Sequence, residues 1–138
     1  MASAELLRKS PYFASLDDET LARIAAPFSE VEFQPEQVLI QPGVPGAGLF
    51  VICEGSVHVK AHGFEDDLGP GEVVGELSLL EADGLRRARV VANESVRALA
   101  LDRADFEAML AAEPELADAM RNLARDRLAE LSEFDDAG

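Results

Sequence analysis

Between Ser29 and Leu101 the chain is written in short β-rich runs, each closed by a turn signal. Val31 and Phe33 alternate with Glu30 and Glu32, a period of two that sets apolar and acidic side chains on opposite faces of a strand. "VLI" at 38–40 runs into "QPGVPGAG", a Pro/Gly series that must turn the chain. "LFVICEGSVHVK" holds two runs split by Glu54-Gly55, which predicts a hairpin. "HGFEDDLGPG" reads as a further turn-rich segment, and "ARVVANESVRALALD" as two strands around Asn93-Glu94. Strands this short, with turn signals at roughly 8–12 residue spacing, predict a β-barrel or sandwich.

Helical patterns flank this β region. Ala4 to Lys9 reads as a short helix stopped by Pro11. In "SLDDETLARIAAPF", Ser15 precedes an acidic first turn of Asp17, Asp18 and Glu19, which suits the positive end of a helix dipole. Leu21, Ile24 and Ala25 follow at helical spacing, and Pro27 ends the pattern. After the β region, Asp102 caps "RADFEAMLAA", with Phe106, Met109 and Leu110 on one face. Pro114 then opens a second helix whose Leu116, Met120, Leu123, Ala124, Leu128, Leu131 and Phe134 form one apolar stripe. The chain thus reads as one α+β domain over residues 1–138: helical at 4–28, β-barrel at 29–101, C-terminal helices at 102–134, acidic tail at 135–138.

Charge narrows the partners. The chain has 138 residues and a formal net charge of −15, with only 12 Lys and Arg. A broad basic surface for nucleic acid is excluded, because phosphate contacts need clustered cations. The same acidity repels anionic membranes, no apolar run approaches a span, and the start lacks an apolar signal core, so the expected location is cytoplasmic. Any anionic ligand has to be held by a local positive site.

Most chemistry-bearing residues have ordinary explanations. Cys53, the one cysteine, shares a strand face with Leu49 and Val51 and reads as a buried, inert thiol. His58 and His62 stand four apart with only Asp66 and Asp67 near in sequence, too few to assign a metal site. Ser78 lacks the glycines of a nucleophile elbow, and no His-x-Glu, paired-carboxylate or P-loop spacing is present, so no enzyme activity is expected.

The stretch "VVGELSLLEADGLRRARVVA" at 73–92 is different. Gly75 permits a turn or a close ligand approach. A helical turn in "ELSLL" would aim free N–H groups at an anion. Arg86 and Arg87 carry forks that match phosphate oxygens, and Glu76 can accept hydrogen bonds from hydroxyls such as those of a ribose. The residues alone allow a sugar-phosphate site or a surface loop with Arg–Glu pairs.

Set among its flanks, the chain from about residue 5 to 134 resembles the cyclic nucleotide-binding domains of catabolite-activator-type bacterial regulators, protein kinase A regulatory subunits and gated channels. "LLRKSPYFASLDDETLARIA" resembles the N-terminal helical segment, and "PEQVLIQPGVPGAGLFVICEGSVHV" the strand–glycine–strand region. "LGPGEVVGELSLL" followed by "RRARVVA" is similar to the phosphate-binding cassette, and "VRALALDRADFEAMLAAEPELADAM" to the closing strand and helices.

The resemblance implies a jelly roll (a double-stranded β-helix) flanked by helices, and a non-catalytic sensor of cAMP in preference to cGMP, with no other cofactor. It places Gly75 and Glu76 on the ribose and cyclic phosphate, the N–H groups of Leu77 and Ser78 at the phosphate, and Arg86, ten residues after Glu76, as its counter-charge. Where the family carries Ser, Ala or Thr after that arginine, this chain has Arg87, followed by Ala88; Arg89 stands where cGMP sites favour Thr, and Val74 where the family has an aromatic. The C-terminal helix is implied as the lid over the base, with Leu131 and Ser132 at base-contacting positions. Arg127 falls inside that helix's apolar stripe, so it either reaches solvent at a rim or pairs with Glu76 or the ligand. The stripe itself packs on the barrel or serves as the output surface toward a partner protein or a second copy. The helix-turn-helix domain of bacterial regulators has no counterpart before Gly138, so no DNA binding is expected. The competing expectations are an interaction module with a degenerate pocket, or the regulatory fragment of a larger enzyme or transporter.

Overall fold

The computed structural model describes residues 3–41, 48–61, 64–75 and 88–137. In chain order they form α1 (Ser3–Arg8), α2 (Asp18–Ala25), β1 (Ser29–Phe33), β2 (Val38–Ile40), β3 (Gly48–Glu54), β4 (Val57–Ala61), β5 (Phe64–Leu68), β6 (Val73–Val74), β7 (Arg89–Ala92), β8 (Val96–Asp102), α3 (Arg103–Ala112) and α4 (Pro114–Ala137). Two four-stranded antiparallel sheets result, one ordered β1-β8-β3-β6 and the other β2-β7-β4-β5. This is the α+β jelly roll with flanking helices that the sequence predicts.

At β3 and β8 the first sheet is buried on both faces, which explains the mostly apolar make-up of these two strands. Successive strand residues point to opposite sides. Leu49 and Val51 of β3, Leu99 and Leu101 of β8 and Val73 of β6 face the helices, packing with Leu7, Phe13, Leu21, Phe106, Leu116 and Met120. Ile52, Val74, Val96 and Ala98 face the other way, onto Ile40, Val57, Val90 and Ala92 of the second sheet. Each of the Val, Leu, Ile, Phe and Met side chains among them contributes roughly 1.5–3 kcal/mol by its burial. The helices therefore sit on one side of the double sheet and share a core with it.

Local signals explain the ends. The Asp102 side chain accepts from the Asp105 N–H at 2.9 Å and caps α3. Pro114 opens α4, where its missing N–H costs nothing. α2 starts later than "SLDD" implies, because Asp17 rather than Ser15 is the cap, accepting from the Thr20 N–H at 2.7 Å. α4 runs to Ala137, through most of the stretch assigned to an acidic tail.

Strand pairing departs from the sequence reading in two places. β3 and β4 are not a hairpin: β3 pairs with β6 and β8, and β4 with β5 and β7. The turn at Gly55 carries the chain from one sheet to the other. Gly55 has φ +84°, and a Cβ there would stand 2.4 Å from the Ser95 carbonyl oxygen. The hairpin lies one strand later, where β4 pairs with β5 from Ala61↔Phe64 to Val57↔Leu68. β5 was hidden in a segment read as turn because its centre is Glu65-Asp66-Asp67. These exposed acids sit on an edge strand, where charge is tolerated and discourages further pairing. Among the described residues no helix is long and apolar enough to cross a membrane.

Candidate functional site

The two-residue strand β6 leads directly into the stretch singled out in the sequence. A tight turn at Gly69–Gly71 delivers it: the Gly71 N–H donates to the Ile52 carbonyl at 2.8 Å, and the Ile52 N–H to the Glu72 carbonyl at 2.9 Å. Val73 then stands opposite Val51 and Val74 opposite Phe50. β6 is the edge of its sheet, so only one side of it is satisfied by β3.

Three further contacts fix this segment. The fully buried Ser10 donates its hydroxyl to the Gly71 carbonyl at 2.7 Å, which ties the N-terminal helical segment to the turn. Arg127 of α4 donates to the Val73 carbonyl at 2.6 Å, and its other terminal nitrogen pairs with the Glu72 carboxylate at 3.3 Å. The Arg127 side chain is only 19% exposed, so it does not simply extend into solvent. The sequence reading, that a charge inside the apolar stripe of α4 needs a partner, is met by these two groups on β6 and its approach. Glu76, the partner considered there, lies outside the described residues. Glu72 and the Val73 carbonyl were not legible as partners, since they stand 55 and 54 positions away along the chain.

Gly75 follows at φ +105°, a conformation that side chains rarely adopt, and it is buried. Glycine at this position therefore has a backbone reason. Glu76, Leu77, Ser78, Arg86 and Arg87 lie outside the described residues. The chain is described again at Ala88, which is buried against Ala61 beside β7. Gly75 and Ala88 are the described residues that border this stretch, just after β6 and just before β7. Arg89 pairs with Lys60 in the strand register and is exposed.

On α4, Leu116, Ala117 and Met120 are buried in the helix-side core, Leu123 packs partly against it, and Ala124 is buried as well. The first half of the apolar stripe is therefore spent within the domain and does not form a free output surface. Leu131 and Ser132 lie further along the same helix.

The remaining candidates resolve as structural groups. The Cys53 thiol is half-buried on the face it shares with Leu49 and Val51, and packs against the helix-side core. Burial pushes its pKa up, with Glu30 and Glu54 adding to the effect. His58 holds carboxylates at both ring nitrogens, Asp67 at 2.8 Å on Nδ1 and Glu65 at 3.0 Å on Nε2. Asp67 also accepts from the Asn93 amide at 3.0 Å. His62 lies outside the described residues.

The cyclic nucleotide-binding domain family model matches residues 30–113. A cyclic nucleotide-gated potassium channel of Mesorhizobium japonicum is 32% identical over 123 residues, which are 89% of this chain and 34% of the channel. The chain thus spans about a third of the length of that relative. Among solved structures, the Thermus thermophilus catabolite activator protein is 32% identical with a TM-score of 0.76, covering 93% of this chain and 62% of that one. The regulatory subunit of a cAMP-independent protein kinase A from Trypanosoma brucei is 31% identical with a TM-score of 0.77, covering 88% of this chain and 45% of that one.

Proposed function

The chain belongs to the cyclic nucleotide-binding domain family, and from that premise we propose that it is a non-catalytic sensor that binds cAMP in preference to cGMP. The observation that carries the reading is the backbone at Gly75, which takes φ +105° where the family's cassette begins. In this reading the Gly75 turn and the N–H groups of Leu77 and Ser78 take the cyclic phosphate. Glu76 accepts from the ribose, and Arg86, with Arg87 beside it, neutralises the phosphate. Ala88 closes the cassette against Ala61. A local site of this kind captures an anion against the field of a chain with net charge −15. The end of α4 beyond Arg127, with Leu131 and Ser132, covers the base, and its movement is read by a partner protein or a second copy. Ligand binding acts as a population shift toward the state it contacts better.

Calorimetric titration with cAMP and cGMP, on wild type and Arg86→Ala, tests this. Wild type binds cAMP more tightly than cGMP, and Arg86→Ala loses most of the affinity for both. No heat and no thermal shift at millimolar nucleotide would sink the sensor reading. Equal binding by Arg86→Ala would sink the phosphate assignment.

A second reading, the same fold with a different ligand, is favoured by one observation: Arg87 stands where a small residue is usual. The likeness to a kinase regulatory subunit described as cAMP-independent points the same way. Titration with nucleosides that lack phosphate separates the two. Binding as tight as that of the cyclic nucleotides would favour this second reading.

A further inference from the structure

We infer that the outer edge of β1 is a docking site for an extended segment of a partner protein in which basic and apolar residues alternate. The inference goes beyond the nucleotide reading and does not depend on it: β1 is the opposite edge of its sheet from β6, which leads into the cassette.

The two sheets have four edge strands among the described residues, and β1 is the one suited to accept another. β6 is two residues long, and β2 has three residues with an irregular register to β7. β5 carries Glu65 and Asp67 toward one face and Asp66 toward the other, so an added strand meets acid on both sides. β1 has five residues and keeps its acids on one face. Glu30 and Glu32 are exposed there. Val31 and Phe33 point the other way, into the core between the sheets, and stay half-buried at the margin of the sheet. Among the described residues β8 is the one strand neighbour of β1, which leaves the backbone groups of its other side for an added strand. Unpaired edges of this kind are the template to which extended peptides add.

Charge and shape select the occupant. Glu30 stands in register with the apolar Leu99, and among the described residues no cation pairs with it. Glu32 and Glu54 share the guanidinium of Arg97, at 3.5 and 3.6 Å, and all three side chains are exposed. Two carboxylates on one cation at these long distances leave a place for a second cation. A cleft of about 250 Å³ at this end of β1 sets apolar wall from Phe33 and Val96 beside the same carboxylates. A basic side chain there lays its aliphatic stem on that wall and its charge among the acids. Opposite charges across a strand pair attract and like charges repel. A second copy of this chain is therefore the wrong occupant, since β1 against β1 sets Glu30 and Glu32 against the same acids. The field of a chain with net charge −15 draws a basic segment in. Fitted to β1, that segment places basic side chains beside Glu30 and Glu32 and apolar ones beside Val31 and Phe33.

The test titrates the protein with a short capped peptide that alternates valine and lysine, followed by NMR shift changes and amide exchange. In wild type the peptide slows exchange of amides in β1, and added salt weakens it. The same peptide with glutamate in place of lysine does not bind. Glu30→Gln and Glu32→Gln each weaken the lysine peptide about threefold, the size of a cross-strand charge pair, and the double variant weakens it about tenfold. Both side chains are exposed, so the variants melt as wild type does. N-methylation of alternate peptide residues abolishes binding in one phase, where it removes the N–H groups that face β1, and spares it in the other. No binding at millimolar peptide would overturn the inference, and so would unchanged affinity in the double variant. Protection at a strand other than β1, or equal binding by both methylation phases, would overturn it as well.

Discussion

Ser10 and Gly71 are joined by a 2.7 Å hydrogen bond that no solvent reaches, 61 positions apart in the chain. The hydroxyl satisfies a carbonyl that the Gly69–Gly71 turn leaves facing the N-terminal segment. Ser10→Ala removes the donor and strands the acceptor in the interior. The expected loss is about 1–3 kcal/mol, the desolvation cost of an unpaired buried polar group. At roughly 4 °C per kcal/mol for a chain of this size, the melting temperature falls by about 4–12 °C. Urea unfolding of wild type and Ser10→Ala measures it. An unchanged midpoint would mean that water replaces the hydroxyl.

Gly55→Ala is expected to be at least as costly. The new methyl meets the Ser95 carbonyl oxygen at 2.4 Å, and the residue must hold φ +84° with a side chain. The left-handed conformation alone costs about 1–2 kcal/mol, and the neighbour is backbone, which cannot swing aside. The predicted destabilisation is about 2 kcal/mol or more. Circular dichroism melting reads it directly, and a variant as stable as wild type would show that the sheet-to-sheet corner is soft.

The sequence carried the alternation of β1, the runs of β3 and β8, the Asp102 cap and the Pro114 start, because each is set by neighbours in the chain. It did not carry pairing. β3 and β4 are joined by a short turn, yet they belong to different sheets, since β3 is buried on both faces and its neighbours on either side, β8 and β6, are supplied from far along the chain. β5 was lost because Glu65, Asp66 and Asp67 mark it as loop, and only an edge position makes them compatible with a strand. At the candidate site, the need for Gly75 was legible from its residue type. Arg127 was legible as a charge that requires a partner. Which partners it takes depends on tertiary placement, and the described contacts include Glu72 and the Val73 carbonyl, which no motif in the sequence marks.

Cys53 is predicted to be a slow thiol. Burial and the nearby acids Glu30 and Glu54 hold its pKa above the ordinary cysteine value, and the thiolate is the reactive form. Labelling with a thiol-reactive dye near pH 8 should proceed several-fold more slowly in the native protein than in urea-unfolded protein. It should accelerate as pH rises further. Equal rates in the two states would contradict the packing of β3 against the helices.

His58 makes the stability of the second sheet depend on pH in a definite direction. The hydrogen bonds to Glu65 and then Asp67 raise its pKa above 6.5. The same bonds lower those of Glu65 and Asp67. A group whose pKa is raised on folding stabilises fully below its unfolded value and loses that contribution as pH rises through its folded value. A lowered carboxylate behaves in the opposite sense, stabilising above its unfolded value and failing as pH falls through its folded one. Both contributions are in force together only between the ordinary carboxylate range and about pH 6.5, so the β4–β5 hairpin is most secure there. All three side chains are well exposed, so the effect is small and is screened by salt. The chain has two histidines, and a His62→Gln variant leaves one imidazole to follow by NMR. Its titration midpoint lies above that of the unfolded chain, and Glu65→Gln and Asp67→Asn each bring it down. In Glu65→Gln the difference in unfolding midpoint from wild type is larger at pH 6 than at pH 8.5. A His58 midpoint at or below the unfolded value would show that the two carboxylates do not hold the ring in solution.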